Sequence, residues 1–324
     1  MGCYLVTGCA GFIGAKVAEL LLNGGHIVVG VDNLYPAYDV RLKEWRLAQL
    51  RHQPNFTFYR LNICEKDTLY SNLRQGDFKI DVIVHLAAQA GVHASVQNPQ
   101  LYYETNVLGT LNLLEFCRDA EIRKFILAST SSIYGARTPL PFQEDSTSEA
   151  PISPYAASKK AAEELCYTYH YLHKLDITVL RYFTVYGPAG RPDMSIFRFV
   201  RDIIEGRPIV IYGDGSQTRS FTYIDDIARG TIAALTLKGY EIINLGSSQA
   251  VSINEVVHAI EHLTGRKALI EYRPRHPADV LATQADCTKA MRLLQWAPKV
   301  TLEEGLQATI EWYKANRSWA KEIK

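Results

Sequence analysis

The chain has almost no net charge, no long apolar run and no closely spaced pair of cysteines. Lysine and arginine number 35 of its 324 residues and aspartate and glutamate 34, so it has no overall field that would attract nucleic acid or an acidic membrane surface. No run of about 18 apolar residues occurs, and the first residues show no basic stretch followed by a cleavable apolar segment. We therefore expect no nucleic acid partner, no membrane partner and a cytoplasmic location.

The cysteines lack the spacing of a disulfide framework or a metal site. There are six, without Cys-x-x-Cys or mixed Cys/His ligand spacing, and several stand in apolar runs: Cys3, Cys9, Cys64, Cys117, Cys166 and Cys287. We interpret them as small buried hydrophobic side chains in a reducing compartment. The sequence predicts no metal site.

The chain opens with a glycine-rich turn between a short apolar run, residues 4–7, and a helical pattern, residues 12–22. Its sequence is Gly8-Cys9-Ala10-Gly11-Phe12-Ile13-Gly14. Glycines let the backbone approach a pyrophosphate, whose charge is met by free N–H groups at the helix start. The next apolar run ends in Asp32, which can accept both adenosine ribose hydroxyls and would repel a 2′-phosphate. This spacing predicts a dinucleotide site that favours NAD over NADP.

Strand and helix patterns continue to alternate along the chain. Further strands are expected near residues 56–61, 82–86, 125–128, 177–181 and 242–245, and the clearest helices at 101–117 and 155–172. This order predicts an α/β fold, a Rossmann-type doubly wound parallel sheet. Ligands bind beyond the carboxyl ends of such strands, where six ends carry polar or glycine-rich sequence: Gly8, Asp32, Asn62-Ile63, Ala87-Ala88, 129–132 and 181–184.

The sequence becomes rich in loops after residue 181, which suggests a second unit. We expect an NAD-binding domain formed by residues 1–181, with residues 221–250 returning to it. Residues 182–220 and 251–324 would form a smaller, mixed α/β substrate domain that packs over the crevice.

The candidate catalytic groups lie in residues 129–159. A serine-rich strand end is followed by a helix that opens at Pro154, on which Tyr155 and Lys159 share one face. A phenol has a pKa near about 10, and a fixed ammonium one turn away favours the phenolate, so Tyr155 is a candidate base near neutral pH. Because Tyr-x-x-x-Lys also arises by chance on solvated helix faces, this assignment depends on the rest of the chain.

Together these features resemble the extended short-chain dehydrogenase/reductase family, and within it the nucleotide-sugar epimerases. Three stretches narrow the resemblance to UDP-glucuronate 4-epimerases: residues 31–34 followed by 38–43, residues 85–92, and above all residues 181–194. The resemblance covers nearly the whole length. It implies NAD as the cofactor, in contact with Gly8, Gly11, Phe12, Ile13, Gly14, Asp32, Asn33, Asn62, Ile63, Leu86, Ala87, Ala88, Tyr155 and Lys159.

The resemblance also implies roles at the reacting sugar. Tyr155 would be the catalytic base, with Lys159 as its electrostatic partner and a ligand of the nicotinamide ribose. Thr130 and Ser131 would orient the sugar, and Ser132 would line the same pocket. Tyr155 would take the 4-hydroxyl proton while the C4 hydride passes to NAD, and the 4-keto sugar would turn over before the hydride returns to its opposite face.

A few side chains select the reaction and the substrate. Ser131 and Ser132 stand where 4,6-dehydratases and decarboxylases typically have acidic residues, and Thr184 stands where neutral-sugar 4-epimerases usually have Asn. By resemblance, Thr184 and Arg191 hold the substrate carboxylate, and an arginine fork suits a carboxylate. The 4-keto uronate is a β-keto acid, and our hypothesis is that both residues keep its carboxylate out of the orientation that loses CO2.

The resemblance places three more residues at the UDP-sugar substrate. Arg219 would reach the diphosphate, Asp279 would accept a uridine ribose hydroxyl, and Asn106 would contact the substrate. The alternatives are a surface salt bridge for Arg219 and a turn position for Asp279. His93 departs from the family, which usually has Arg there; it is either a partly protonated substitute or a neutral surface histidine.

Other functions stay open at this level. A 4-epimerase for UDP-glucose or UDP-N-acetylglucosamine is the main alternative, followed by a UDP-glucuronate decarboxylase. A non-catalytic NAD-binding protein is disfavoured by the Tyr155 and Lys159 pair. The family's habit is a homodimer that buries two sheet-flanking helices, here residues 101–117 and 155–172.

Overall fold

The structure is a computed structural model that describes residues 1–146, 150–275 and 279–323. The strands within these ranges are, in chain order, β1 (Cys3–Thr7), β2 (Ile27–Val31), β3 (Phe56–Tyr59), β4 (Val82–His85), β5 (Lys124–Thr130), β6 (Asp176–Tyr182), β7 (Thr184–Tyr186), β8 (Pro208–Tyr212), β9 (Thr218–Arg219), β10 (Phe221–Tyr223), β11 (Tyr240–Leu245), β12 (Val251–Ser252) and β13 (Leu269–Arg273).

The helices of the same ranges are α1 (Phe12–Asn23), α2 (Val40–Arg51), α3 (Lys66–Gln75), α4 (Val92–Gln97), α5 (Pro99–Tyr103), α6 (Gly109–Asp119), α7 (Pro154–His173), α8 (Ser195–Ile204), α9 (Ile224–Ala233), α10 (Ile253–Thr264), α11 (Thr288–Leu294), α12 (Leu302–Ala315) and α13 (Arg317–Ala320). Short 3₁₀ turns cover Ser131–Tyr134 and Ala234–Thr236. In the described part of the chain, no helix is both long and apolar enough to cross a membrane.

Seven strands form one parallel sheet in the order β11-β6-β5-β4-β1-β2-β3. This confirms the doubly wound sheet that the alternating sequence pattern predicts. Strands β1 to β3 run outward on one side, and β4, β5, β6 and β11 run outward on the other, so the winding reverses between β1 and β4. Parallel sheets of this kind bind ligands in the crevice at that reversal, beyond the carboxyl ends of the strands.

The central strands are apolar throughout because both faces of the sheet are covered. Neighbouring residues along a strand point to opposite faces, as Leu5 and Val6 of β1 show. Leu5 packs in a cluster with Cys166 of α7, whereas Val6 packs in a second cluster with Val17 of α1 and Ile227 of α9. Helices on both faces therefore hold the carboxyl ends of β1, β4 and β5 in fixed positions.

A separate core lies beside the sheet and joins α8, α10 and α12 to β8. It contains Phe199, Ile209, Val257 and Leu306, all buried. The chain builds the shorter strands β7 to β10 before β11 returns to the large sheet beside β6. This order agrees with the expected return of the chain, while the division into an NAD-binding domain and a substrate domain stays a prediction.

One predicted helix has a different form. Residues 101–117 are expected to be a single helix, but the structure has α5, a π-helical turn at Glu104–Leu108, and α6. Asn106 lies in the wide turn, and its carbonyl accepts a hydrogen bond from the Thr110 hydroxyl at 2.6 Å. The turn directs the Asn106 amide toward the loop after β4, where it bonds to the backbone of Gln89. A local apolar pattern cannot reveal this tertiary contact.

Candidate active site

A cleft of about 360 Å³ opens at the carboxyl ends of the large sheet, on the side where the winding reverses. All the residues predicted to contact the dinucleotide line it, as do Thr130, Ser131, Ser132, Thr184 and Arg191. These residues come from segments spread over nearly 190 positions of the chain, and the sheet brings them together.

The glycine-rich turn fits a dinucleotide pyrophosphate. Gly8 has a φ of +72°, and a Cβ there would meet the backbone nitrogen of Ala87 at 2.7 Å. Gly14 is also closed to a side chain, since its Cβ would collide with the carbonyl of Gly8. Gly11 is the N-cap residue of α1 and has no side chain to accept a hydrogen bond. The first N–H groups of this helix therefore face the cleft without a side-chain acceptor. The turn therefore leaves space and donors for an anionic group.

Asp32 is held rigidly at the end of β2. Its Oδ1 accepts from the Leu34 N–H at 2.8 Å and its Oδ2 from the Ala10 N–H at 3.2 Å. The Lys43 ammonium lies 3.5 Å from Oδ1 and also lines the cleft. A carboxylate fixed in this way still has lone pairs for ribose hydroxyls. Lys43 is not among the predicted site residues, although it belongs to the stretch 38–43 that carries part of the family resemblance.

Tyr155 stands at the first turn of α7, opposite the end of β5. Ser153 caps this helix by accepting from the Ala156 N–H at 3.2 Å. Burial raises the pKa of Tyr155 above its ordinary value, while a hydrogen bond with Thr130 and the charge of Arg191 act in the opposite direction. Arg191, which is distant in the chain, thus contributes a charge that favours the phenolate, while the role expected of Lys159 stays a prediction.

Lys159 is 2% exposed and lies one turn below Tyr155. Burial lowers the pKa of Lys159 to about 8, against the smaller opposing charges of Cys166 and Glu163. Its ammonium therefore gives up its proton far more easily than a surface lysine does.

Arg181 is placed differently from the expectation that it faces the crevice. It is 2% exposed, and its guanidinium forms two hydrogen bonds to Glu163 of α7, at 3.1 and 2.8 Å. Glu163 also accepts a hydrogen bond from Ser129, the residue before Thr130. The arginine thus lies in the core, because α7 carries the carboxylate that neutralises it, and it supports the catalytic segment from behind.

Thr184 and Arg191 line the cleft together with Tyr155, and the charge of Arg191 acts on the Tyr155 phenol. Arg191 Nε donates to Asp193 Oδ1 at 3.0 Å, and Nη2 donates to Asp193 Oδ2 at 2.6 Å and to the Ala90 carbonyl at 3.2 Å. Burial lowers the pKa of Arg191, but the charge and hydrogen bonds of Asp193 outweigh it and keep the pKa above its ordinary value. The cleft therefore contains a permanent cation.

Asn106 does not line the cleft, in contrast to the predicted substrate contact. It is 0% exposed, and its amide bonds to the backbone N–H and carbonyl of Gln89 and to the hydroxyl of Ser158. The π-helical turn produces this arrangement. Asn106 thus ties the loop after β4 to α7, while Gln89 and the neighbouring Thr105 line the cleft.

Arg219 and Asp279 are not among the residues that line the cleft. The charge of Asp279 acts on Arg219, whose pKa is lowered by burial. Asp279 Oδ1 is 3.0 Å from Nε2 of His93, and His93 follows Val92, which does line the cleft. His93 is therefore paired with a residue distant in sequence and is not an isolated surface histidine.

Two further residues support the site and were not identified from the sequence. Asp193 holds Arg191, and Arg46 of α2 donates to the carbonyls of Ala10, at 3.2 Å, and Ala189, at 2.6 Å. Asp193 belongs to the stretch 181–194, whose length signals its importance. Arg46 lies on α2 beyond the stretch 38–43 that carries part of the resemblance, and nothing in the sequence indicates its role. In the described ranges, no group of three or more His, Cys, Asp or Glu side chains could hold a metal ion.

Comparison with known proteins agrees with this arrangement. The family model described as GDP-mannose 4,6 dehydratase matches residues 5–309. A UDP-glucuronate 4-epimerase of Thermodesulfobacterium geofontis is 55% identical over 325 residues, which cover 100% of this chain and 100% of that protein.

Solved structures show the same similarity. The UDP-glucuronic acid 4-epimerase from Bacillus cereus, in complex with UDP-glucuronic acid and NAD, matches with a TM-score of 0.91 and 40% identity, covering 97% of this chain and 99% of that one. The UDP-glucose 4-epimerase of Thermotoga maritima, with UDP-glucose, matches with a TM-score of 0.89 and 32% identity, covering 97% and 99%.

Proposed function

The chain belongs to the GDP-mannose 4,6 dehydratase family of extended short-chain dehydrogenases/reductases, and on that basis we propose that it catalyses the NAD-dependent C4 epimerisation of UDP-glucuronate to UDP-galacturonate. One observation carries the choice of an acidic sugar. Arg191, a cation at any physiological pH, lines the same end of the cleft as Tyr155 and Thr184. A partly buried arginine there favours a substrate that brings a carboxylate.

The protein's own contribution to the reaction is orientation and a proton relay. Tyr155 accepts the proton of the sugar 4-hydroxyl and later returns it. Its hydrogen bond with Thr130 fixes the direction of the phenol, and Ser131 and Ser132 place further hydroxyls around the sugar. Lys159, in its protonated form, donates to the nicotinamide ribose.

The glycine-rich turn, Asp32 and Lys159 are the residues that would hold NAD. When bound, NAD supplies the group that takes the C4 hydride and gives it back. Loss of this hydride and of the hydroxyl proton leaves a 4-keto sugar. The hydroxyl pair Thr130 and Ser131 can bond to either orientation of such a sugar, because hydroxyls both donate and accept. Return to the opposite face inverts C4.

The 4-keto uronate is also the intermediate that can lose CO2. It loses CO2 readily only when the C5–C6 bond is perpendicular to the plane of the C4 carbonyl group. Thr184 and Arg191 hold the carboxylate from two directions and keep it out of that orientation. The same two residues therefore provide both substrate selection and protection of the intermediate.

The test is proton NMR of the purified protein incubated with UDP-glucuronate, with UDP-glucose in a parallel tube and no added reductant. We expect UDP-galacturonate, no pentose signals and little change in the neutral sugar. Arg191→Ala should convert UDP-glucuronate slowly and release CO2, whereas Arg207→Ala, which removes an exposed arginine outside the cleft, should behave as the unaltered protein. UDP-xylose from the unaltered protein would identify a decarboxylase, and turnover of UDP-glucose alone would identify a neutral-sugar epimerase.

In this proposal Arg219 and Asp279 bind the UDP part of the substrate. Arg219 approaches the diphosphate, and Asp279, whose charge acts on Arg219, approaches the uridine ribose. The support is their mutual proximity and the fit of a guanidinium to phosphate oxygens. Binding of UDP alone, measured by calorimetry, should weaken in Arg219→Ala and remain unchanged in Arg207→Ala.

We also propose that the protein is a homodimer in a reducing, cytoplasmic compartment. Five exposed apolar side chains lie on α5, α7 and the π-helical turn between α5 and α6: Tyr103, Leu108, Tyr167, Tyr171 and Leu172 are 45%, 44%, 51%, 64% and 61% exposed. All six cysteines are free thiols. Light scattering should give twice the chain mass, and Tyr171→Glu should shift it to the monomer mass because it places a charge in the contact.

A further inference from the structure

Asp193 grips Arg191 along one side of its guanidinium group. One carboxylate oxygen accepts a hydrogen bond from Nε at 3.0 Å, and the other accepts one from Nη2 at 2.6 Å. Nη2 donates its second hydrogen to the Ala90 carbonyl at 3.2 Å. The ring of Tyr38 lies beneath the group, 5.9 Å from the guanidinium carbon. Three of the five N–H bonds of Arg191 are therefore used by the protein, and the plane of the group is fixed.

Only Nη1 is left for a ligand. Among the described residues, no hydrogen bond uses the two hydrogens on this nitrogen. Arg191 lines the cleft with Thr184 and Tyr155, whereas Asp193 is absent from this lining. Asp193 therefore acts on the cleft only through the side chain of Arg191.

We propose that Asp193 is a positioning residue for the carboxylate of the substrate. It orients Arg191 so that Nη1 alone, and not a pair of guanidinium nitrogens, donates to the carboxylate. This inference rests on the proposed function. One carboxylate oxygen then accepts a hydrogen bond from Nη1 and the other is free for the Thr184 hydroxyl. Two different residues thus fix the position of the carboxyl group and, with it, the direction of the C5–C6 bond relative to the C4 carbonyl plane. A free arginine would bind both oxygens itself and would let the carboxylate turn with it.

The charge of Asp193 gives the effect a distinctive kinetic form. Its negative charge opposes the attraction between Arg191 and an acidic sugar, so removing that charge does not weaken binding of UDP-glucuronate. Without Asp193 the plane of the guanidinium group is no longer fixed. Misplacement of a positioning group lowers the rate by up to about a hundredfold. The expected signature is a fall in kcat without a rise in KM.

The experiment compares Asp193→Asn with the unaltered protein on UDP-glucuronate and on UDP-glucose. For UDP-glucuronate we expect kcat to fall by at least about tenfold with KM unchanged or lower. Pentose signals and CO2 should appear, because the C5–C6 bond of the 4-keto uronate breaks, its electron pair enters the C4 enolate, and C5 takes a proton. Any turnover of UDP-glucose should be unaffected, since this sugar has no carboxylate to hold.

Two controls separate positioning from structural damage. Glu205 lies away from the cleft and accepts hydrogen bonds from Nε and Nη2 of Arg317 at 2.7 and 3.0 Å, in the same geometry. Glu205→Gln removes this carboxylate and should leave the kinetic constants for both substrates unchanged. In an Arg191→Ala background, Asp193→Asn should have no further effect, because the residue acts through Arg191 alone.

The outcomes distinguish the inference from the proposed function. If the unaltered protein does not convert UDP-glucuronate, the proposed function fails and the inference fails with it. If it does convert UDP-glucuronate, three results overturn the inference alone: an Asp193→Asn variant with normal kcat and no pentose, equal losses on both sugars, or a further loss in the Arg191→Ala background.

Discussion

Glu163 and Arg181 form a two-bond ion pair in the core, where helix α7 crosses strand β6 behind the catalytic segment. Nε and Nη2 of Arg181 lie 3.1 and 2.8 Å from the carboxylate, and the two side chains are 1% and 2% exposed. Glu163 stands one turn after Lys159 and also accepts from Ser129, so the pair joins both halves of the catalytic group. Its loss should therefore affect folding and geometry together.

Glu163→Gln should lower the free energy of unfolding by about 3 kcal/mol or more, because it leaves Arg181 buried with an uncompensated charge. Chemical denaturation of both proteins measures the difference. The matched control is Glu164→Gln, the next residue, whose bond to Lys160 at 2.8 Å is on the exposed side of the helix. It should change the free energy by less than about 0.5 kcal/mol. Equal effects would contradict the role of burial.

Tyr155→Phe should reduce kcat for UDP-glucuronate by about 10² to 10⁴, because the phenylalanine cannot take or return the 4-hydroxyl proton. NAD content after purification should not change. Tyr169→Phe is the control: it lies on the same helix, and its hydroxyl bonds to Glu115 away from the cleft. A Tyr155→Phe variant with normal kcat would remove the tyrosine from the mechanism.

Thr184→Val should lower kcat/KM for UDP-glucuronate by about tenfold, because a hydrogen bond to a charged group is worth about 1.5–3 kcal/mol. Rates on UDP-glucose should stay within about twofold. Thr222→Val, on the paired strand β10, removes a buried hydroxyl that has no partner among the described residues and should leave activity unchanged. Parallel losses on the acidic and neutral sugars would argue against a carboxylate contact.

Activity should fall as the pH rises through about 8, because burial lowers the pKa of Lys159 to about 8. Below that pH its ammonium is present to donate to the nicotinamide ribose, and above it the charge is lost. The measurement is kcat/KM for UDP-glucuronate between about pH 6 and about pH 10. The residual activity of Lys159→Arg should not decline over this range, because a guanidinium keeps its charge. A profile of the unaltered protein that stays level to about pH 9 would exclude this assignment.

Asp32→Asn should weaken NAD binding by about tenfold and narrow the preference over NADP, because the amide no longer accepts from two ribose hydroxyls and no longer repels a 2′-phosphate. Calorimetry with both dinucleotides gives the ratio. Asp77→Asn, an aspartate beyond the end of α3 and outside the cleft lining, is the control. An unchanged ratio in Asp32→Asn would place the specificity elsewhere.

Much of the fold follows from local pattern. The seven strands of the sheet can be predicted because each is a short apolar run bounded by polar or glycine residues, and their common edge then locates the cleft. The glycine-rich turn is predicted from its spacing and from the strand and helix beside it, and the Tyr155 and Lys159 pair from its spacing together with the rest of the chain. These signals are local, so a single sequence contains them.

The remaining features depend on partners that are distant in the chain. The sequence cannot show that Arg181 meets Glu163 in the core, that Asn106 turns toward Gln89, or that Asp279 pairs with His93. Each contact joins residues that only the finished fold makes neighbours. The effect of Arg191 on the pKa of Tyr155 is missed for the same reason, because the two residues are distant in the chain.

Arg46 joins two loops to which we assign different ligands in the proposed function. Its guanidinium binds the Ala10 carbonyl in the glycine-rich turn and the Ala189 and Gly190 carbonyls just before Arg191. Anyone who grafts residues 181–194 from a relative, to change which sugar is accepted, transplants a loop whose anchor is on α2. Such chimeras should keep both loops in place when the donor protein also has an arginine at this position of its α2. When the donor lacks it, the grafted loop has not been selected to bind Arg46, and both loops should lose their anchor.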